Sequence, residues 1–526
     1  MYSLFSFIHP PITMELSSLL HDLHLSSSDK SLLPSSLPPI TELLTVLQEK
    51  LTGASSDSEK NSLIGRVESF FLTADPNWLF PSASEANQDA GWVELQAAYS
   101  SVVCALIGCA VLPLCEDDCS SLPASAYQSV PSRAEKVCVA LNALLGTLGN
   151  RGGLDDLLLA VAPPICVFAV THFQDQVWTN SSSQAAAQCL QEALLRAGGW
   201  RDSSHLLMGD GSREDEKGGG TNRGIVGGIL DVLQPHLTKE KWHRCEAVKL
   251  VFAWTLLQVT RPSLSLHLHR FFPFSLLLND HFRPENSILG VRCLHHIVLN
   301  TPAADLRQFN RAEVVYQALF KHLYTTEAAV IQPVLTCLLD LMLVLEKSPS
   351  SLAPSSSPRK PCRHDDVLRL MLTHMEAEHK VALRRVYASA LPLYIDRMGV
   401  VVCRHLKRLE QVMLGYLEVK DPPEEMSRLN VLEALQKTIR AAWPRISCRV
   451  TVLLRCLLKL LLDVSSDSQL SDSVRQQLMN QTTLCIKQLD DVSHGNLQPL
   501  LLQVDSSCCS SEVLSYLSTI TITTDR

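Results

Sequence analysis

The sequence predicts an all-α fold of the HEAT/armadillo-like α-solenoid class, built from stacked antiparallel helix pairs. Three observations lead there. Apolar residues recur at helical spacing in segment after segment. Consecutive helical segments pair over about forty residues, the unit length of HEAT and armadillo arrays. Hairpin signals and alternating runs, the marks of strands, are scarce. A hydrophobic fraction of 46% in 526 residues is ample for a continuous core.

Residues 1–62 are Ser/Pro-rich and expected to be partly disordered. The start, MYSLFSFIHPPITM, lacks a basic flank, and Pro10 and Pro11 cut its apolar run, so neither a secretory signal nor a mitochondrial presequence is indicated. A helix is expected from Met14, which makes the first thirteen residues a dispensable extension. Residues 63–201 form an N-terminal helical block. Within it, Ala97 to Leu114 is uncharged over eighteen residues, at the lower edge of a membrane span. Its small residues, two cysteines and terminal proline favour a buried solenoid helix.

An acidic, glycine-rich loop at 202–224 leads to a central HEAT-like block at 225–347. There NRAEVVYQALFKHLY and TEAAVIQPVLTCLLDLMLVLE make one helix pair, and GVRCLHHIVLN, Gly290 to Asn300, is apolar nearly all round, as a central helix should be. A Ser/Pro-rich linker spans 348–363, and a C-terminal HEAT-like block occupies 364–526. In that block Val367, Leu370, Met371, His374 and Met375 share one helix face, with Asp365 and Asp366 near its start, where the dipole favours them. Neither helix of a pair can hide its apolar side alone, so stacking must do it.

The 46 basic and 54 acidic side chains leave a mildly acidic chain without a lysine or arginine block, so nucleic acid is not an expected partner. Cys138, Cys166, Cys189, Cys337, Cys456 and Cys485 sit singly in apolar helical stretches, where a small hydrophobe would serve. The odd total of 17 and its irregular spacing argue for reduced thiols in cytosol or nucleus.

Several constellations suggest chemistry and fall short of it. Cys293 and His296 could clasp a metal, but zinc needs three or four ligands, and His267, His269 and His281 lack paired spacing. Cys362, His364, Asp365, Asp366, His374 and His379 gather in a second cluster, which reads as a helix start with an acidic first turn; HMEAEH is not the H-E-x-x-H face of a metalloprotease. The close pairs Cys115/Cys119 and Cys508/Cys509 have no basic neighbour to activate them. GGGTNRG lacks the lysine of a P-loop, and no nucleophile elbow or dinucleotide fingerprint occurs. No metal, cofactor or catalytic residue is expected.

Basic residues gather once. Arg384 and Arg385 lie on one predicted helix, and Arg404, Lys407 and Arg408 form an i, i+3, i+4 ridge on the next. One reading is a solvated face partly paired with Glu410, Glu424 and Glu425; the other is a strip that grips an acidic partner.

Long blocks carry a family resemblance. They include PPICVFAVTHFQDQVWT, RPSLSLHLHRFFPFSLLLND, NSILGVRCLHHIVLNTPAADLRQFNRAEVVYQAL, LRLMLTHMEAEHKVALRRVYA, RHLKRLEQVMLGYLEV and WPRISCRVTVLLRCLLKLL. The chain resembles a vertebrate, fish-like member of the Tel-two-interacting protein two family, most strongly from about Gly224 to Val464. The resemblance implies a non-enzymatic subunit of the Triple T complex, beside its sister Tti subunit and the Tel subunit. It also implies co-chaperone work with the ninety-kilodalton heat-shock chaperone on phosphatidylinositol 3-kinase-related kinases of the ATM, ATR and mTOR class, in cytoplasm and nucleus. Since a few buried anchors dominate such interfaces, Trp443 and Arg445 join the basic ridge as candidate contacts, although Trp443 beside Pro444 could equally be inter-helix core. A transport adaptor of the importin kind would need a repeated Trp/Asn ladder, which is missing. A zinc hydrolase would need a stoichiometric metal.

Overall fold

The computed structural model describes residues 38–81, 89–116, 122–149, 154–210, 223–346, 361–504, 507 and 509–521. The extension before Met14, the helix expected at Met14, most of the 202–224 loop and the 348–360 stretch of the linker lie outside the described residues, as do Cys119 and Cys508. Among the described residues there is no strand, only an isolated antiparallel bridge between Gly209 and Arg223. The fold is all-α.

Two compact units divide between Phe274 and Ser275. In the first, the longer helices are α1 Ile40–Gly53, α2 Asp57–Thr73, α3 Asp89–Gly108, α4 Val130–Gly149, α5 Asp155–His172, α6 Ser181–Ala197, α7 Val226–Leu233 and α8 Glu246–Gln258. They pack in two rows, α2–α4–α6 and α1–α3–α5, with α7 and α8 continuing against α5. Each helix leans on the one two places on, which is how HEAT-like pairs bury faces that no single pair could cover. The expected boundary at residue 63 falls inside α2, whose start is fixed locally: Ser56 Oγ accepts the Glu59 N–H while Glu59 Oε2 accepts the Ser55 N–H.

The apolar run from Ala97 to Leu114 does not continue as one helix: α3 ends at Gly108, and Val111 and Leu114 are exposed. Its helical part is core, as expected, with Tyr99, Val102, Val103 and Leu106 buried and Tyr99 donating to the Leu79 carbonyl at 2.7 Å. Three other segments, Asp155–His172, Ala328–Leu345 and Val381–Arg404, are long and apolar enough to cross a membrane by length and composition. Half or more of each is buried in the fold. A helix that is apolar all round is also what the middle of a stack requires.

Helix α5 shows the cost of such burial. His172 is 1% exposed, packs 4.7 Å from the Phe168 ring, and its Nδ1 has no hydrogen-bond partner among the described residues. Burial lowers the imidazole from 6.5 to about 4. The unfolded chain therefore takes up a proton below 6.5 that the native state refuses until about 4, and stability falls as pH drops through that window. Urea unfolding at pH 7 and pH 5 is expected to differ by about 2 kcal/mol through this residue. His172→Leu should remove that part of the difference; an unchanged pH dependence in the variant would contradict it.

The helix α9, Ser263–Asn279, contains the division between the units. The second unit continues with α10 Pro284–Asn300, α11 Arg311–His322, α12 Ala328–Leu345, α13 Arg363–Ala377, α14 Val381–Met398, α15 Leu406–Glu418, α16 Met426–Ala441, α17 Val450–Ser466, α18 Asp472–Val492 and α19 Ser511–Thr521. One row runs α10–α12–α14–α16–α18 and the other α13–α15–α17, with α11 against α12. In α12, ten residues from Val330 to Val344 are buried. Burying an aliphatic side chain fully contributes about 1.5–3 kcal/mol, so these segments hold the rows together even though Pro333 in α12 and Pro392 in α14 each remove a helical donor. Tyr394 Oη donates to the Leu335 carbonyl at 2.9 Å, and Gln436 Nε2 to Gln481 Oε1 at 2.6 Å, joining neighbours along the row.

Helix ends are served by arginines from elsewhere in the unit. Arg307 Nε donates to the Val344 carbonyl at 2.7 Å, Arg475 Nη2 to that of Asp467 at 2.8 Å, and Arg428 Nε to that of Val419 at 3.4 Å. Each carbonyl lies at the C-terminal end of a helix, where intrahelical donors run out.

The cysteines follow the expected pattern with two departures. Cys138, Cys166, Cys337 and Cys485 are buried, but Cys189 is exposed and Cys456 half-buried. Burial pushes the Cys166, Cys293 and Cys485 thiols up to about 12, so these are inert core groups.

Candidate partner-binding surface

The histidines of the central helix have partners within the fold. In α10, Cys293 and Ile297 are wholly buried, His295 Nε2 lies 2.9 Å from Asp340 Oδ2, and His296 Nδ1 lies 3.3 Å from Asn300 Nδ2. In the second cluster, His374 stacks on Tyr387 at 5.8 Å and an interplanar angle of 3°, while His379 is exposed. Cys362 and Asp365 form a reciprocal capping box at the start of α13.

The seven expected contact residues do not form one strip. Helix α14 runs antiparallel to α13 and α15, so Arg384 and Arg385, in its first turn, lie at one end of the stack and Arg404 at the other. Both arginines of the pair are engaged. The Arg384 guanidinium covers the Tyr416 ring at 3.8 Å. Arg385 donates through Nε and Nη2 to Asp421 Oδ1, at 3.1 and 2.7 Å, and lies 3.1 Å from Glu424. Glu424 is thus paired as expected, whereas Glu410 meets Arg449 and Glu425 meets Arg428.

The ridge on α15 is also partly spent. Helices α13 and α15 are parallel neighbours, so Arg408 reaches down to Glu376 with a fork of two 2.7 Å hydrogen bonds and touches Thr373 and the Arg369 carbonyl. Arg404 lies 3.6 Å from Asp365 Oδ2, and the adjacent His405 Nε2 is 2.8 Å from Oδ1. Burial alone would raise the Asp365 carboxyl, but hydrogen bonds from His405 and from the Cys362 N–H and thiol outweigh it and hold it well below the ordinary range. Lys407 is exposed and makes no ion pair among the described residues.

Trp443 is not core. It opens the short helix Trp443–Ile446 with 63% of its surface exposed, and Arg445 beside it is exposed too. Helices α14 and α16 are neighbours in one row and both run antiparallel to α15 between them, so the turns that follow them, 399–404 and 443–449, lie at the same end. One end of the stack therefore presents Arg404, Lys407, Trp443 and Arg445 with the exposed Val400. Sequence reasoning missed another member of this end, Phe309, 76% exposed at φ 54° with Arg311 over its ring at 5.2 Å. Its only sequence signal is Asn310, a residue type that tolerates positive φ.

Comparison with known proteins adds the decisive observation. Human TELO2-interacting protein 2 is 46% identical over 383 residues, covering 73% of this chain and 72% of the human one. The chain belongs to the TELO2-interacting protein 2 family. The mouse protein of that name is 44% identical over 396 residues, covering 74% of this chain and 75% of its own. No family model matches the chain. Among solved structures, the karyopherin Kap121p bound to RanGTP is similar over 88% of this TELO2-interacting protein 2 family chain, at 14% identity and a TM-score of 0.45; the match spans 44% of the karyopherin.

Proposed function

We propose that this family member is a non-enzymatic scaffold subunit of the Triple T co-chaperone complex, holding the sister Tti subunit and the Tel subunit. Through them it would support maturation of phosphatidylinositol 3-kinase-related kinases with the ninety-kilodalton heat-shock chaperone, in cytoplasm and nucleus. Identity of 46% with human TELO2-interacting protein 2 carries this reading. The relative's name speaks of binding TELO2, and stacked helix rows that leave turn ends exposed are suited to gripping protein surfaces.

The contact residues favoured here are Lys407, Trp443 and Arg445, with Arg404 at their side. An exposed tryptophan among cations fits an acidic partner segment that brings one apolar anchor. Arg404 is a poor choice for reversal, because its Nη1 lies 3.6 Å from Asp365 Oδ2 and a glutamate there would set a like charge near that carboxylate. Lys407→Glu and Arg445→Glu combined with Trp443→Ala are expected to reduce co-precipitation of the sister subunit at least tenfold while leaving thermal melting unchanged. Undiminished recovery would remove this surface from the proposal.

A further inference from the structure

We propose that Glu346, Cys362 and His364 form a binding site for a divalent transition-metal ion of the zinc type, tying the end of α12 to the start of α13. One donor atom from each residue lies within 4.8 Å of the others. Glu346 is the C-cap of α12, Cys362 the N-cap of α13 and His364 the second residue of that helix, so the backbone of two elements sets the arrangement.

The donor set selects the ion. An imidazole and a sulfur exclude calcium and magnesium, which take oxygen ligands, and together with one carboxylate they match zinc. His364 is fully buried, and its Nδ1 lies 3.5 Å from Glu346 Oε2. The other oxygen, Oε1, accepts from Arg363 Nη1 at 2.9 Å, the Arg363 N–H reaches Oε2 at 3.2 Å, and Arg363 is itself anchored on Glu313 at 2.7 Å, so the carboxylate is held in place. Donors around tetrahedral zinc stand about 3.5 Å apart, which rotation of the half-buried Cys362 side chain would reach. Asp365 Oδ2 accepts from the Cys362 thiol at 3.3 Å and so orients the sulfur from outside the donor set. Binding replaces the thiol proton, which passes to solvent, with a sulfur–metal bond.

The test uses the full chain, stripped with chelator and titrated first with Co²⁺ and then with Zn²⁺. One equivalent of cobalt should produce thiolate-to-cobalt charge-transfer absorption that zinc then erases, and zinc-loaded protein should melt a few degrees above the stripped form. Cys362→Ser should abolish the absorption, and Glu346→Gln should weaken cobalt binding tenfold or more. Absence of the band in the unaltered chain, or its survival in Cys362→Ser, would overturn the proposal.

Discussion

Gly290→Ala is expected to destabilise the second unit by about 3 kcal/mol or more, the upper range for overpacking. A Cβ at Gly290 would stand 2.1 Å from the Asn279 nitrogen and 2.5 Å from its Cα, and these are main-chain atoms with no free end to swing aside. Helix α10 would have to lift off the end of α9, opening the 3.2 Å hydrogen bond from Ser287 Oγ to the Asn279 carbonyl and wetting two buried polar residues. Gly415→Ala is the control: nothing lies within 4 Å of its Cβ position in α15. There the better helix propensity should add up to about 1 kcal/mol. Urea midpoints of the two variants should move in opposite directions, and similar small gains for both would show that α10 does not need the close approach.

Arg385→Ala is expected to cost about 3 kcal/mol, since removing one partner of a buried pair strands the other. The Asp421 side chain is 4% exposed and takes two hydrogen bonds from Arg385, with a third from the Ser427 N–H at 2.7 Å. Burial would raise its carboxyl, but those bonds outweigh it and lower it below the ordinary value of 3.8. The stabilisation is therefore present at neutral pH and is lost as pH falls through the depressed folded value. Adding Asp421→Asn to Arg385→Ala should recover part of the loss, because no unpaired charge remains. A double variant no better than the single one would place the effect in lost packing of the arginine stem.

Much of this architecture can be read from apolar spacing alone. The pairing of α11 with α12, and the persistence of α12 and α14 through Pro333 and Pro392, follow from faces too apolar to be left wet. Helix ends were harder. The run after Ala97 stays apolar past Gly108, so nothing in its composition marks where α3 stops. The division of the chain falls inside α9 and not at either polar interruption, because loop composition reports exposure and says nothing about which helices pack together.

The contact residues show the same limit. Spacing put Arg404, Lys407 and Arg408 on one ridge, but what each meets is decided by α13, whose Glu376 lies thirty-two positions earlier. The Cys362 and His364 cluster was visible, whereas Glu346 was not joined to it, since fifteen residues of unrelated sequence separate it from Cys362. Trp443 could not be assigned from AAWPRIS, where a core residue and a presented one look alike.

The arginines that close helix ends bear on how the molecule looks to an approaching macromolecule. A guanidinium already bound to a carbonyl, as at Arg307 and Arg475, has its planar fork committed inward, and lysine's single ammonium could not reproduce that geometry. The hydrogen-bond donors these arginines can offer a partner are therefore fewer than a tally of cations suggests. What an acidic visitor feels first is set by side chains with no such duty, Lys407 and Arg445 among them.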